Sequence, residues 1–175
     1  MPKRDIASCE TAGLPCISLS RTHLRSNRYS LNRIPMFTPS QHDVRRFFCE
    51  TFRKVRANEI LTPLEAIARD WIIQHEEYAD ALGNVDEALA ADYSVERGQS
   101  NPFLHLSMHL SIAEQISIDQ PPGIRAAFLG LAQRLGSEHD AHHEMMECLG
   151  EMIWNSQRSG LPPDGAAYIE CVKRR

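Results

Sequence analysis

Residues 101–118, NPFLHLSMHLSIAEQISI, decide the fold. Asn101 is a good helix cap, and Pro102 suits the first helical position because proline lacks an N–H that the first turn would leave unpaired. At about 100° per residue, Phe103, Leu106, Met108, Leu110, Ile112 and Ile116 share one apolar arc, and His105 and His109 fall within it. The spacing predicts a buried-face helix that carries two imidazoles one turn apart, close enough to share a ligand. Glu114 projects toward Ser107 and Ser111, away from them. The sequence DQPPG at 119–123 ends the helix.

A matching couple follows in residues 137–151, SEHDAHHEMMECLGE. Ser137 and Asp140 predict a helix start, and the pattern continues to about residue 159. Its main apolar face is Met145, Leu149, Met152 and Ile153, with His142 beside them. His139 and His143 sit on a flank continued by Gly150 and Trp154, a tryptophan expected to be buried. Glu147, one turn after His143, extends the flank into one stripe of three candidate ligands: His139, His143 and Glu147.

Between these two helices, residues 124–135 place Ile124, Ala127, Phe128, Leu131 and Leu135 on one face and stop at Gly136. Short connections on both sides favour antiparallel neighbours, so the two histidine helices should lie side by side and parallel in one bundle. His105 and His139 are both within the opening turn of their helices, an offset of about two residues, or roughly 3 Å of rise. Both couples then occupy one layer.

Upstream, Ser40 and Asp43 make a capping box for a helix with Val44, Phe47, Phe48, Phe52 and Val55 in one stripe. Thr62, Pro63 and Glu65 open another, whose face reads Leu64, Ala68, Trp71, His75, Tyr78 and Leu82 before Gly83. A helical turn at 85–91 and the loop SVERGQS come next. AAYIECVKRR closes the chain as a helix whose basic end suits the negative end of its dipole. The expected architecture is all-α, a single-domain bundle of about six helices over residues 36–175.

Residues 1–35 are different. They carry six Lys and Arg against two acids, whereas the whole chain has a net charge of −4. Rich in Arg and Ser and poor in apolar periodicity, this stretch has the composition of a transit peptide or a disordered basic arm. Since the helical pattern begins only at MFTPSQHD, the preferred expectation is that it reflects a start codon assigned too early, with Met36 the natural start.

Function classes narrow accordingly. An acidic domain lacks the basic footprint that phosphate contacts require, which argues against nucleic acid. No apolar run reaches the roughly 18 residues of a membrane span. Five cysteines without a C-x-x-C pair suggest free thiols and a cytoplasmic location. A homo-oligomer stays open.

Four imidazoles, His105, His109, His139 and His143, with the Glu147 carboxylate near them, suit a divalent transition metal such as zinc or iron. His75 and His142, each a lone histidine on an apolar arc, read as hydrogen-bonded core residues, and Met108, Met145, Met146 and Met152 as core filler. Sharper motifs are missing. His143-Glu144-Met145-Met146-Glu147 has glutamate where the zinc-protease motif needs its second histidine, and the paired E-x-x-H of ferritin-like di-iron sites is absent. The same residues support two other functions: an anion site at paired helix N-termini, and a non-enzymatic helical interaction or regulatory protein. Three protein ligands with an open position would permit hydrolytic or Lewis-acid chemistry, whereas a closed site would be structural, and the sequence leaves enzymatic status undecided.

NPFLHLSMHLSIAEQISIDQPPGIRAAF, EHDAHHEMMECLGEMIW and MFTPSQHDVRRFFCETFRK closely resemble the bacterial domain-of-unknown-function family 1841 over about residues 36–172. The resemblance implies a bacterial cytoplasmic protein starting at Met36 and carries no catalytic roles. At the level of fold, the H-x-x-x-H couples also resemble those of helical metal-binding bundles of the hemerythrin and DinB kinds.

Overall fold

A computed structural model describes residues 40–93 and 100–175, which lie in one compact unit; the basic stretch 1–35 and all but the last residue of the loop SVERGQS fall outside the described residues. The elements are α1 (Gln41–Arg56), α2 (Pro63–Gln74), a 3-10 turn (Glu76–Tyr78), α3 (Ala79–Gly83), α4 (Val85–Ala90), α5 (Pro102–Ile118), α6 (Ile124–Leu135), α7 (Glu138–Ser159) and α8 (Gly165–Arg174). Every regular element among the described residues is helical, as the periodicity predicts. None is long and apolar enough to cross a membrane.

Local chemistry sets the boundaries. Ser40 with Asp43, and Thr62 with Glu65, form reciprocal capping boxes on α1 and α2. Asn101 accepts from the amides of Phe103 and Leu104 at the start of α5, and Ser137 from that of Asp140 on α7. At their other ends α6 and α7 stop at Gly136 and Gly160, whose φ of 70° and 69° lies in the left-handed region that glycine adopts without steric cost.

Among the described residues there are eight α-helices where about six were expected, because the run from Thr62 to Gly83 is not one helix. It breaks at His75, whose φ of −122° and ψ of 60° are far from helical values. The chain then makes its 3-10 turn and resumes as α3, and the segment after Asn84 is a separate short helix. Leu64, expected on the buried face, is 50% exposed.

Two apolar clusters fill the interior. Phe48, Cys49, Ala68, Trp71, Ile72, Leu82, Ala88, Phe103 and Leu106 join α1 to α4 with the start of α5. Ile112, Phe128, Leu131, Met145, Leu149, Tyr168 and Val172 belong to a second cluster, built by the rest of α5 with α6, α7 and α8. Helix α5 thus serves both, changing from one to the other between Leu106 and Ile112. His109, fully buried, stands at that change.

The buried Arg45 reaches from α1 to the carbonyls of Ala88, Leu89 and Ala91, at 2.9, 3.3 and 2.8 Å, satisfying the end of α4 with a charged donor. Lys54 pairs with Glu65 at 2.6 Å; this ammonium and the Thr62 amide hold the Glu65 carboxyl at about 2, so it is ionised and fixed where it caps α2.

Two expectations are corrected. Cys148, read as a free thiol, is joined to Cys171 by a disulfide that ties α7 to α8, while Cys49 is free and buried. The pair is 23 residues apart with no spacing motif to reveal it, and free thiols therefore no longer argue for a reducing compartment. Trp154 is 55% exposed. Its indole is covered on one side by the Arg158 guanidinium, 5.0 Å from the ring centroid and one turn along the helix, so the ring is partly shielded without entering the core.

A candidate metal centre of five histidines

Helix α5 delivers His105 and His109, and α7 delivers His139 and His143. The break after α2 supplies a fifth imidazole, because the non-helical backbone of His75 turns its ring inward from the end of α2. All five Nε2 atoms converge. His75 Nε2 lies 2.8 Å from that of His109, 3.3 Å from that of His105 and 3.2 Å from that of His139. His105 Nε2 is a further 3.2 Å from those of both His109 and His143. The candidate ligand atoms of His75, His109, His139 and His143 are all within 4.8 Å of one another.

Hydrogen bonding alone does not account for this crowding. The Glu77 carboxylate accepts from His75 Nδ1 at 2.8 Å, so in the tautomer with one ring proton it is Nε2 of His75 that carries the lone pair. That lone pair faces three other Nε2 atoms, and one N–H at most can point at it well. Metal–imidazole bonds of about 2.0–2.1 Å would place neighbouring ligand nitrogens about 2.9–3.4 Å apart, depending on coordination number. The observed separations are close to those edges.

The surroundings favour neutral rings. Burial, and then the neighbouring His75 and His143, lower the His105 pKa to about 4. His109 is pushed down further, chiefly by burial, and His143 is lowered for the same reason. A neutral imidazole keeps the lone pair that a metal needs. Trp71 stacks flat on His109, with ring centroids 4.1 Å apart and planes at 14°. That stacking orients a ring whose Nδ1 is buried without a hydrogen-bond partner. Tyr78 stacks on His75 and meets His105 edge-on.

Of the residues expected from the sequence, His105, His109, His139 and His143 meet in this cluster. The α5 and α7 rings lie close together, with centroids 5.1 Å apart for His105–His143 and His109–His143 and 5.7 Å for His109–His139. Glu147 is exposed and lines a surface hollow with Met108, Gly150, Glu151, Trp154 and Arg175. His75, read as a core residue, is both buried and at the centre of the cluster. His142 is a core residue, packed against Trp71 and Phe128, and burial holds its pKa down at about 4. Sequence reasoning also missed Glu77. A histidine followed by acids at the end of a helical pattern is the only trace either residue leaves.

Fold and site together define an all-helical bundle with a histidine-rich centre at the junction of its two apolar clusters. Residues 40–174 match the family described as a domain of unknown function, DUF1841, and the chain belongs to that family. Comparison with curated proteins and with solved structures found no match.

Proposed function

We propose that the domain binds one divalent transition metal through Nε2 of His75, His105, His109, His139 and His143. The observation that carries this is the convergence of five Nε2 atoms from three separate chain segments at 2.8–3.3 Å. Burying that many imidazoles without a shared partner would be costly, and one cation satisfies all five. Five nitrogen donors exceed the four of a closed tetrahedral zinc site, so iron(II) suits the centre better than zinc. Glu77 is the outer carboxylate that fixes the His75 tautomer, an arrangement usual for metal-bound histidine.

An anion held at paired helix N-termini is less well supported, since Asn101 and Ser137 already accept from the first-turn amides such an ion would use. Elemental analysis of protein purified without chelator tests the proposal. Near-stoichiometric metal is expected. Protein that is metal-free as purified and takes up neither iron, zinc, manganese nor copper would refute it.

A further inference from the structure

A hollow of about 660 Å³ lies between α1, α3 and α4, and none of the five histidines lines it. Its size is within the roughly 300–1,000 Å³ of small-molecule sites. Cys49 and Leu82, buried members of the first apolar cluster, line it together with the partly buried Phe52 and Val85, so the hollow reaches the core. Arg46, Glu50, Arg53 and Arg56 line it too, exposed and spaced at three and four residues along one face of α1. From Arg46 to Arg56 the helix rises roughly 15 Å, enough for an extended medium-length chain.

The three guanidinium groups are not equivalent. Arg53 is held on both sides, by Glu50 at 2.7 Å and by Glu59 at 2.6 Å, and Glu50 is thereby occupied. Arg46 and Arg56 make no ion pair with a carboxylate among the described residues, and Asp43, one turn before Arg46, is taken up in the capping box of α1. The Arg56 guanidinium lies over the Phe52 ring, 5.7 Å from its centroid, which keeps it at the edge of the apolar surface. On a chain of net charge −4, an apolar hollow edged by two cations without anionic partners is a local reversal of charge. Guanidinium groups bind carboxylates through two parallel hydrogen bonds, and an apolar surface beside them lets the rest of a ligand leave water. The space is also unfilled at Gly83, where an added Cβ would meet no atom within 4 Å.

We infer that this hollow binds a medium-chain carboxylate, with the chain against Cys49, Leu82, Phe52 and Val85 and the carboxylate on Arg56. Nothing in it depends on the metal centre.

Octanoate is the probe, titrated below its micellar concentration into the full-length protein by isothermal calorimetry. Saturable binding at one site per chain is expected. Arg56→Gln should weaken it by about ten-fold or more, as loss of a charged hydrogen bond does. Gly83→Leu should abolish it with the circular dichroism unchanged, because the added side chain occupies the hollow. Arg69→Gln, on α2 and outside the hollow, should bind as the parent does. Absence of octanoate binding would overturn the inference, and so would octanol bound as tightly as octanoate, since no carboxylate would then be recognised. Binding that survives both Arg56→Gln and Gly83→Leu would put the ligand elsewhere and overturn it as well. Polyglutamate bound where octanoate is not would assign the hollow to an acidic protein partner instead.

Discussion

The Nε2 atoms of His75 and His109 stand 2.8 Å apart although 34 residues separate them along the chain. His75 ends α2, and His109 lies in the middle of α5, where the two apolar clusters meet. The contact therefore joins the local break in one helix to the packing of another. It also makes the centre a product of both halves of the bundle, so that an ion bound there would hold them together.

Replacement of His75 with Ala should remove most of the bound metal, as should His109→Ala and His143→Ala. Glu147→Gln should retain it, since that carboxylate is exposed one turn beyond His143. Metal content by elemental analysis, with folding checked by circular dichroism, reads the difference. Metal lost from the Glu147 variant and kept by the His75 variant would return the ligand set to the α7 stripe.

Glu77 acts through His75, to whose Nδ1 it is bonded at 2.8 Å. Outer carboxylates of this kind typically change metal affinity by about 10–100-fold, and Glu77→Gln is expected to weaken binding within that range. Glu77→Asp should recover part of the loss. Competition with a chromophoric chelator measures it, and unchanged affinity in Glu77→Gln would remove the carboxylate from the site.

Metal-free protein should lose stability in mild acid. Folding lowers the pKa of His105 and of His142 from 6.5 to about 4. Between those values the unfolded chain binds protons that the folded chain excludes, so stability is fully present above about 6.5, falls as the pH drops and levels off below about 4. Urea denaturation across this window should show the decline, and His142→Leu should make it shallower. Stability independent of pH from 7 to 4 would contradict the buried neutral rings.

A ligand that binds only the folded state stabilises it by mass action, by about 2.7 kcal/mol when present at 100 times its dissociation constant. Chelation should accordingly lower the melting temperature of metal-loaded protein, and added iron(II) should restore it under anaerobic conditions. Identical melting with and without chelator would count against a bound ion.

The Cys148–Cys171 disulfide closes a loop of 23 residues. Chain entropy assigns such a crosslink about 3 kcal/mol. The double variant Cys148→Ala with Cys171→Ala should be less stable by up to that amount yet still folded, because Tyr168 and Val172 keep α8 in the second apolar cluster. Thiol counting before and after reduction, combined with denaturant unfolding, checks both points.

Helix positions, caps and the two H-x-x-x-H couples were legible in the sequence because each depends on residues within a turn or two of one another. A step of four puts His105 beside His109, and His139 beside His143, wherever those helices pack; Asn101, Pro102, Ser137 and Gly136 mark ends by chemistry confined to a few bonds. Tertiary structure alone decided what lies across helices. The break at His75 has no glycine or proline to announce it, so an unpaired histidine on an apolar arc looked like core until α2 was set against α5. Glu147 has the right spacing from His143, but the helix carries it round to the surface. Cys148 meets Cys171, and Trp154 stays half in water, for the same reason: periodicity states which residues share a face, while the packing of the whole bundle determines what that face meets.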